Sequence, residues 1–174
     1  PRPQLVRPSW QNLNGLWEYA VTALADEFPS TWTGQILVPF CLESKLSGVQ
    51  RLLRPSEALW YRRTFLATPR VDQRLLLHFE AVYYRCQLWV NYRGVGWHTG
   101  GNGPFAFDIT EVIREGVNEL TVRVEDRTGG AQLRGKQTLD PGGIGYTRVS
   151  GIWQTVWLER VPGRYIAELD VTSD

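Results

Sequence analysis

The chain has 174 residues, the size of one domain, and carries 19 Lys plus Arg against 18 Asp plus Glu for a net charge of +1. That balance gives no electrostatic reason to expect nucleic acid or an acidic membrane as a partner, and no apolar run reaches the roughly 18 residues of a membrane-spanning helix. The opening Pro1-Arg2-Pro3-Gln4 lacks the apolar h-region of a secretory leader, an appearance shared by an excised domain or a processed chain, so location stays open.

In chain order, the patterning predicts strands almost throughout. Leu16 to Val21 follows the turn pair Asn14-Gly15, and Gln35 to Val38 ends at Pro39. Leu59 to Leu66 carries Trp60, Tyr61 and Phe65; Arg74 to Phe79 and Cys86 to Asn91 are short apolar runs. Phe105, Phe107 and Ile109 alternate with smaller or polar residues, as do Leu120, Val122 and Val124. Ile152 to Leu158 reads as one strand. Period-two alternation and β-branched or aromatic enrichment are strand signals. Gly and Pro clusters punctuate them at Gly94–Gly96, Gly100–Pro104, Gly129-Gly130 and Pro141–Gly143. Only Thr110 to Glu115, stopped by Gly116, has a helical look, and it predicts a single turn. Many short strands between Gly-rich turns predict one all-β domain over 1–174, a sandwich or jelly roll. The stretch from about Gly129 to Val149 is long and nearly strandless, and such loops are commonly functional or mobile.

Catalytic patterns are scarce. His78 sits in an apolar run and reads as a packed or edge histidine; His98, in Gly96 to Gly101, reads as a loop histidine bonded to backbone. No Ser stands in a nucleophile elbow, and there is no phosphate loop, dinucleotide fingerprint or zinc spacing. The acids Asp26, Glu27, Asp72, Glu111, Glu115 and Glu119 read as a solvated face. No cofactor is implied, and the sequence offers no readable calcium-ligand pattern. Cys41 and Cys86, the only cysteines, lie 45 positions apart and form no metal motif; two free thiols in or near the core is the plain reading, with one disulfide between them the alternative.

Binding chemistry is better supplied. The composition is rich in aromatics, with 8 Trp and 7 Tyr. Trp and Tyr fill sandwich cores and also form platforms for the C–H faces of sugars, while amides and cations meet sugar hydroxyls. The candidate ligand-binding set is Tyr83, Tyr84, Arg85, Tyr92, Trp97, Asn102, Lys136, Gln137, Tyr146 and Arg148, with carbohydrate or another small ligand as the expected partner.

Ordered stretches along nearly the whole chain carry a resemblance. They include PRPQLVRPSWQNLNGL from Pro1, VPFCLESKLSGV from Val38, WYRR from Trp60, LHFEAV from Leu77, LWVN from Leu88, VGWHTGGNGPFAF from Val95, RGKQ from Arg134 and SGIWQTVWLE from Ser150. The chain resembles the N-terminal sugar-binding domain of glycoside hydrolase family 2, which includes β-galactosidases and β-glucuronidases. The resemblance implies a galactose-binding-domain-like jelly-roll sandwich without catalysis of its own. In that family both catalytic carboxylates lie on a barrel, which takes roughly 200 residues or more by itself. It also implies a supporting role, in which loops of this domain shape a sugar site.

Departures from the family pattern gather in loops. Tyr83 stands where the family has the Asp or Asn that reaches the substrate. Tyr92 replaces a Gly, Trp97 a polar residue, Asn102 a Tyr, Gly145 a Trp and Arg148 a Pro. Two other readings therefore stand beside the carbohydrate-binding one. The domain is a scaffold engineered at its loops to bind a new protein or small molecule, or it is a structural fragment whose aromatic surface is a domain interface.

Overall fold

The computed structural model describes residues 7–172. Its strands, in chain order, are β1 (Trp10–Asn12), β2 (Gly15–Ala23), β3 (Gly34–Val38), β4 (Glu57–Ala67), β5 (Gln73–Phe79), β6 (Val82–Tyr83), β7 (Arg85–Val90), β8 (Arg93–Thr99), β9 (Phe105–Asp108), β10 (Gly116–Glu125), β11 (Gln137–Thr138), β12 (Tyr146–Thr147), β13 (Gly151–Ile152) and β14 (Val156–Pro162). A six-stranded sheet in the order β3-β2-β4-β10-β7-β8 packs on a four-stranded sheet in the order β1-β14-β5-β9. Both are antiparallel throughout. The protein is an all-β jelly-roll sandwich.

Alternation sorts the side chains between faces. Leu59, Tyr61 and Phe65 of β4, Leu120, Val122 and Val124 of β10, and Cys86, Leu88 and Val90 of β7 point inward. They meet Leu75, Leu77 and Phe79 of β5 and Val156 and Leu158 of β14. Each large side chain so buried contributes about 2 kcal/mol of transfer free energy. Trp17 is accommodated in this core because its indole N–H donates to the Leu13 carbonyl at 2.8 Å.

Three features differ from the sequence expectation. First, Gly94 to Thr99 lies within strand β8 instead of a loop. Its glycines are demanded by close packing, since a Cβ on Gly96 would sit 2.4 Å from the Phe107 ring. Strand formation here is decided by pairing with β7, not by β8's own propensity. Second, the Ile152–Leu158 run is two elements: Gly151–Ile152 pairs with β6, while β14 pairs with β5. Third, Lys45–Ser47 forms an unanticipated 3-10 turn, N-capped by the Ser44 side chain. Thr110–Glu115 holds no helix, only the bonds from Val112 and Ile113 N–H to the Ile109 carbonyl. Cys41 and Cys86 are free thiols, and burial pushes the Cys86 thiol up to about 12.

Candidate functional site

Four strands of the large sheet end together, and their ends floor an open cleft of about 610 Å³. Arg85 begins β7, Thr99 ends β8, Glu125 ends β10 and Pro55 precedes β4; Tyr84, Arg127, Gly129–Gln132 and Leu139 complete the walls. Arg85, Thr99 and Glu125 form one cross-strand row on the outer face of the sheet.

The wall-forming loop after β10 is held from inside. Asp126, buried, is the hub. Its Oδ1 accepts from the Thr128 N–H at 2.9 Å and the Gln132 amide at 2.7 Å; its Oδ2 accepts from the Thr128 and Ser150 hydroxyls at 3.1 and 2.8 Å. With every lone pair engaged, the buried carboxylate anchors rather than destabilises the loop. The Tyr83 hydroxyl donates to the Leu133 carbonyl at 2.5 Å. The Arg148 guanidinium donates through Nε and Nη2 to the Leu53 carbonyl at 2.9 and 2.5 Å, and through Nη1 to that of Leu139 at 3.3 Å. Gln137 Oε1 accepts from the Val149 N–H at 2.7 Å.

The sequence-predicted residues therefore separate into three groups. Tyr84 and Arg85 line the cleft, and Trp97 lies beside it under the Arg85 guanidinium, 5.8 Å from ring centre. Tyr83, Gln137 and Arg148 stand behind the wall: Tyr83 is 2% exposed and Arg148 4%. Lys136 and Tyr146 are exposed on the loop's far part, with the ammonium 5.8 Å from the tyrosine ring centre. Asn102 is exposed next to Gly101, which packs under Tyr83. Tyr92 sits apart at the β7–β8 turn with φ +64°, at the opposite end of β7, roughly 20 Å away by strand rise. The sequence reading missed Thr99, Glu125, Arg127 and Gln132. Their one signal was position at strand ends beside Gly129-Gly130.

The cleft's electrostatics favour acceptor-rich ligands. Glu125 pairs with Arg123, whereas Arg85 and Arg127 have no carboxylate partner among the described residues. Burial lifts the Tyr83 phenol above its usual range, so it stays a proton donor. Deeper in the domain, burial raises the Glu43 carboxyl, whose Oε2 accepts from the Ser150 N–H at 2.8 Å.

A second hollow of about 320 Å³ on the other sheet contains His78, Glu80 and Glu159. All three are engaged. His78 stacks on Trp157 at 3.9 Å with Nε2 3.2 Å from Glu159, Arg7 bonds Glu159 at 2.7 Å, and the Trp157 indole donates to Glu80 at 2.9 Å. His98 faces inward and stacks on Phe105 at 3.9 Å, and burial lowers its imidazole. Among the described residues no three His, Cys, Asp or Glu side chains are grouped to hold a metal ion.

Comparison with known proteins agrees with this architecture. A β-galactosidase of Thermoanaerobacter pseudethanolicus is 33% identical over 118 residues, covering 66% of this chain and 15% of that protein. A β-galactosidase of Clostridium acetobutylicum is 24% identical over 198 residues, covering 96% of this chain and 21% of that protein. The chain thus spans well under a third of the relatives it matches. The structure of Bifidobacterium dentium β-glucuronidase complexed with coumarin-3-O-glucuronide superposes with a TM-score of 0.70 at 22% identity, over 91% of this chain and 31% of that one. The pattern of glycosyl hydrolases family 2, sugar binding domain, matches residues 10–162, and the chain belongs to that family through this domain.

Proposed function

We propose that the cleft holds carbohydrate and that the domain positions it without making or breaking bonds. The observation that carries this reading is the meeting, in one open cleft, of the Tyr84 ring with the hydrogen-bonding groups of Arg85, Arg127 and Thr99. A ring to stack on and polar groups along the lining suit a pyranose. Two observations support the non-catalytic part. The described residues contain no α-helix and hence no β/α barrel. The two carboxylates of the hollow on the smaller sheet, Glu80 and Glu159, are held by Trp157, His78 and Arg7.

The test is a titration of the chain with galactose and glucuronic acid, followed by amide chemical shifts. Shifts are expected at Tyr84, Arg85, Thr99 and Gln132, with weaker binding in Tyr84→Ala and Arg127→Ala. Aryl β-galactosides and β-glucuronides are expected to stay intact on incubation. Shifts confined to another surface, or release of the aryl alcohol, would overturn the proposal.

One observation favours a second reading, in which the loop is a contact surface for another protein domain. Leu133 and Ile144 are 78% and 74% exposed on a loop that is otherwise well bonded. Apolar groups displayed on an ordered loop mark interfaces. It predicts concentration-dependent self-association in sedimentation, reduced by Leu133→Asp with Ile144→Asp. A monomer at every concentration would count against it.

A further inference from the structure

We infer that the ligand of the cleft is a glycan chain and not a single sugar, because the cleft floor continues across the outer sheet face past Trp97. This rests on the carbohydrate reading of the cleft. The register gives the path. The row Thr99–Arg85–Glu125 floors the cleft; the next row is Trp97–Gln87–Arg123, and Trp89 follows on β7. Two residues along a strand advance about 6.6 Å, so the path from Arg85 to Trp89 is about 13 Å, more than one ring needs.

Each step offers sugar-binding chemistry. Trp97 is 65% exposed, an unusual state for a ring of that size unless something covers it. On the same outer face of β8, Gly94 raises no side chain between Trp97 and the next strand row. The Arg85 guanidinium, 5.8 Å from the ring, belongs to both the cleft and the Trp97 platform and makes the two continuous. Gln87 lies opposite Trp97 and brings an amide to the same level. Beyond it a further hollow of about 380 Å³ shares Gln87 with Trp89 and is rimmed by Phe28. Trp89 itself is packed on Trp60 and Phe28, so Trp97 is the exposed ring of this path. A monosaccharide in the cleft would leave Trp97, Gln87 and the far hollow unused, whereas a chain threaded from Tyr84 over Trp97 toward that hollow uses all of them, with stacking on Trp97 and amide or guanidinium bonds to hydroxyls.

Calorimetry on the chain separates the outcomes. The probes are glucose, galactose and glucuronic acid, then β-1,4-linked gluco- and galacto-oligosaccharides from di- to hexasaccharide. Affinity is expected to rise at least tenfold between monosaccharide and tetrasaccharide. Trp97→Ala should abolish that rise while leaving monosaccharide binding in place, and Trp97→Phe should keep most of it. Trp97 is exposed, so the variants are expected to fold, which circular dichroism checks. Equal affinity for short and long sugars, or a length dependence untouched by Trp97→Ala, would overturn the inference and leave the cleft reading standing. A length dependence lost in Trp97→Ala but indifferent to Tyr84→Ala would place the chain on Trp97 alone and overturn continuity. Failure of every sugar to bind would sink the cleft reading, and this inference with it.

Discussion

Tyr83 and Leu133 are joined by a 2.5 Å hydrogen bond from phenol to backbone carbonyl, across 50 residues of sequence. The bond ties β6, inside the sandwich, to the middle of the loop that walls the cleft. The side chain at this position therefore secures the wall from behind.

Tyr83→Phe keeps the buried ring and removes only the hydroxyl. Leu133 is largely exposed, so its carbonyl is expected to recover water, and the expected loss is about 1 kcal/mol in chemical denaturation. Amide exchange over residues 129–139 is expected to quicken while the β10 amides stay protected. Unchanged loop exchange would show that the bond does not hold the wall.

Arg148→Lys tests the guanidinium behind the same wall. One ammonium cannot reproduce the forked donation to Leu53 together with the bond to Leu139. Destabilisation of about 1–3 kcal/mol is expected, since a buried polar group loses partners. A neutral result in urea denaturation would refute the anchoring role.

Gly151→Ala places a methyl where the backbone has φ +91° and where a Cβ would lie 2.0 Å from the Tyr61 hydroxyl. Tyr61 is fully buried and receives the Ile152 N–H at 3.1 Å, so it has little room to retreat. Strain and overpacking together predict a loss of at least about 2 kcal/mol. A melting temperature equal to the parent's would contradict this packing.

Glu43 should leave a signature in the pH dependence of stability. Burial raises its carboxyl above the ordinary 4.5, so the folded state holds this proton more tightly than the unfolded chain does. Its contribution is full below 4.5 and is lost as pH rises through the raised folded value. Glu43→Gln removes the titration and keeps a side-chain oxygen for the Ser150 N–H. The stability difference, variant minus parent, is therefore expected to grow as pH climbs across that window and then level off. A difference flat from pH 4 to 8 would show that Glu43 does not titrate abnormally.

The sandwich was legible because its strands alternate. Leu120, Val122 and Val124 announce β10 by alternation, while β5 was announced by its short apolar run from Arg74 to Phe79. β8 was not, because Gly94 and Gly96 look like turn residues; their reason is the Phe107 ring and the β7 partner, both remote in sequence. The aromatic and basic character of the site was visible, but its sorting was not. Whether a tyrosine faces a ligand or the interior depends on the parity of the strand and on what crosses behind it. Hence Tyr84 lines the cleft while its neighbour Tyr83 is buried beneath the loop. Tyr92 shares their residue type but lies at the far end of β7, where the hairpin turn puts it.

Asp126 answers to three places in the chain at once: its own turn at Thr128, the wall at Gln132 and the start of β13 through Ser150. A replacement wall grafted between residues 129 and 149 would inherit a buried carboxyl still bonded to Thr128 and Ser150 but missing its fourth partner. It would have to return a donor near position 132 or leave one acceptor site of Asp126 unfilled. Diversification of the cleft is thereby channelled toward side chains that face outward, and the segment is replaceable only together with its anchor.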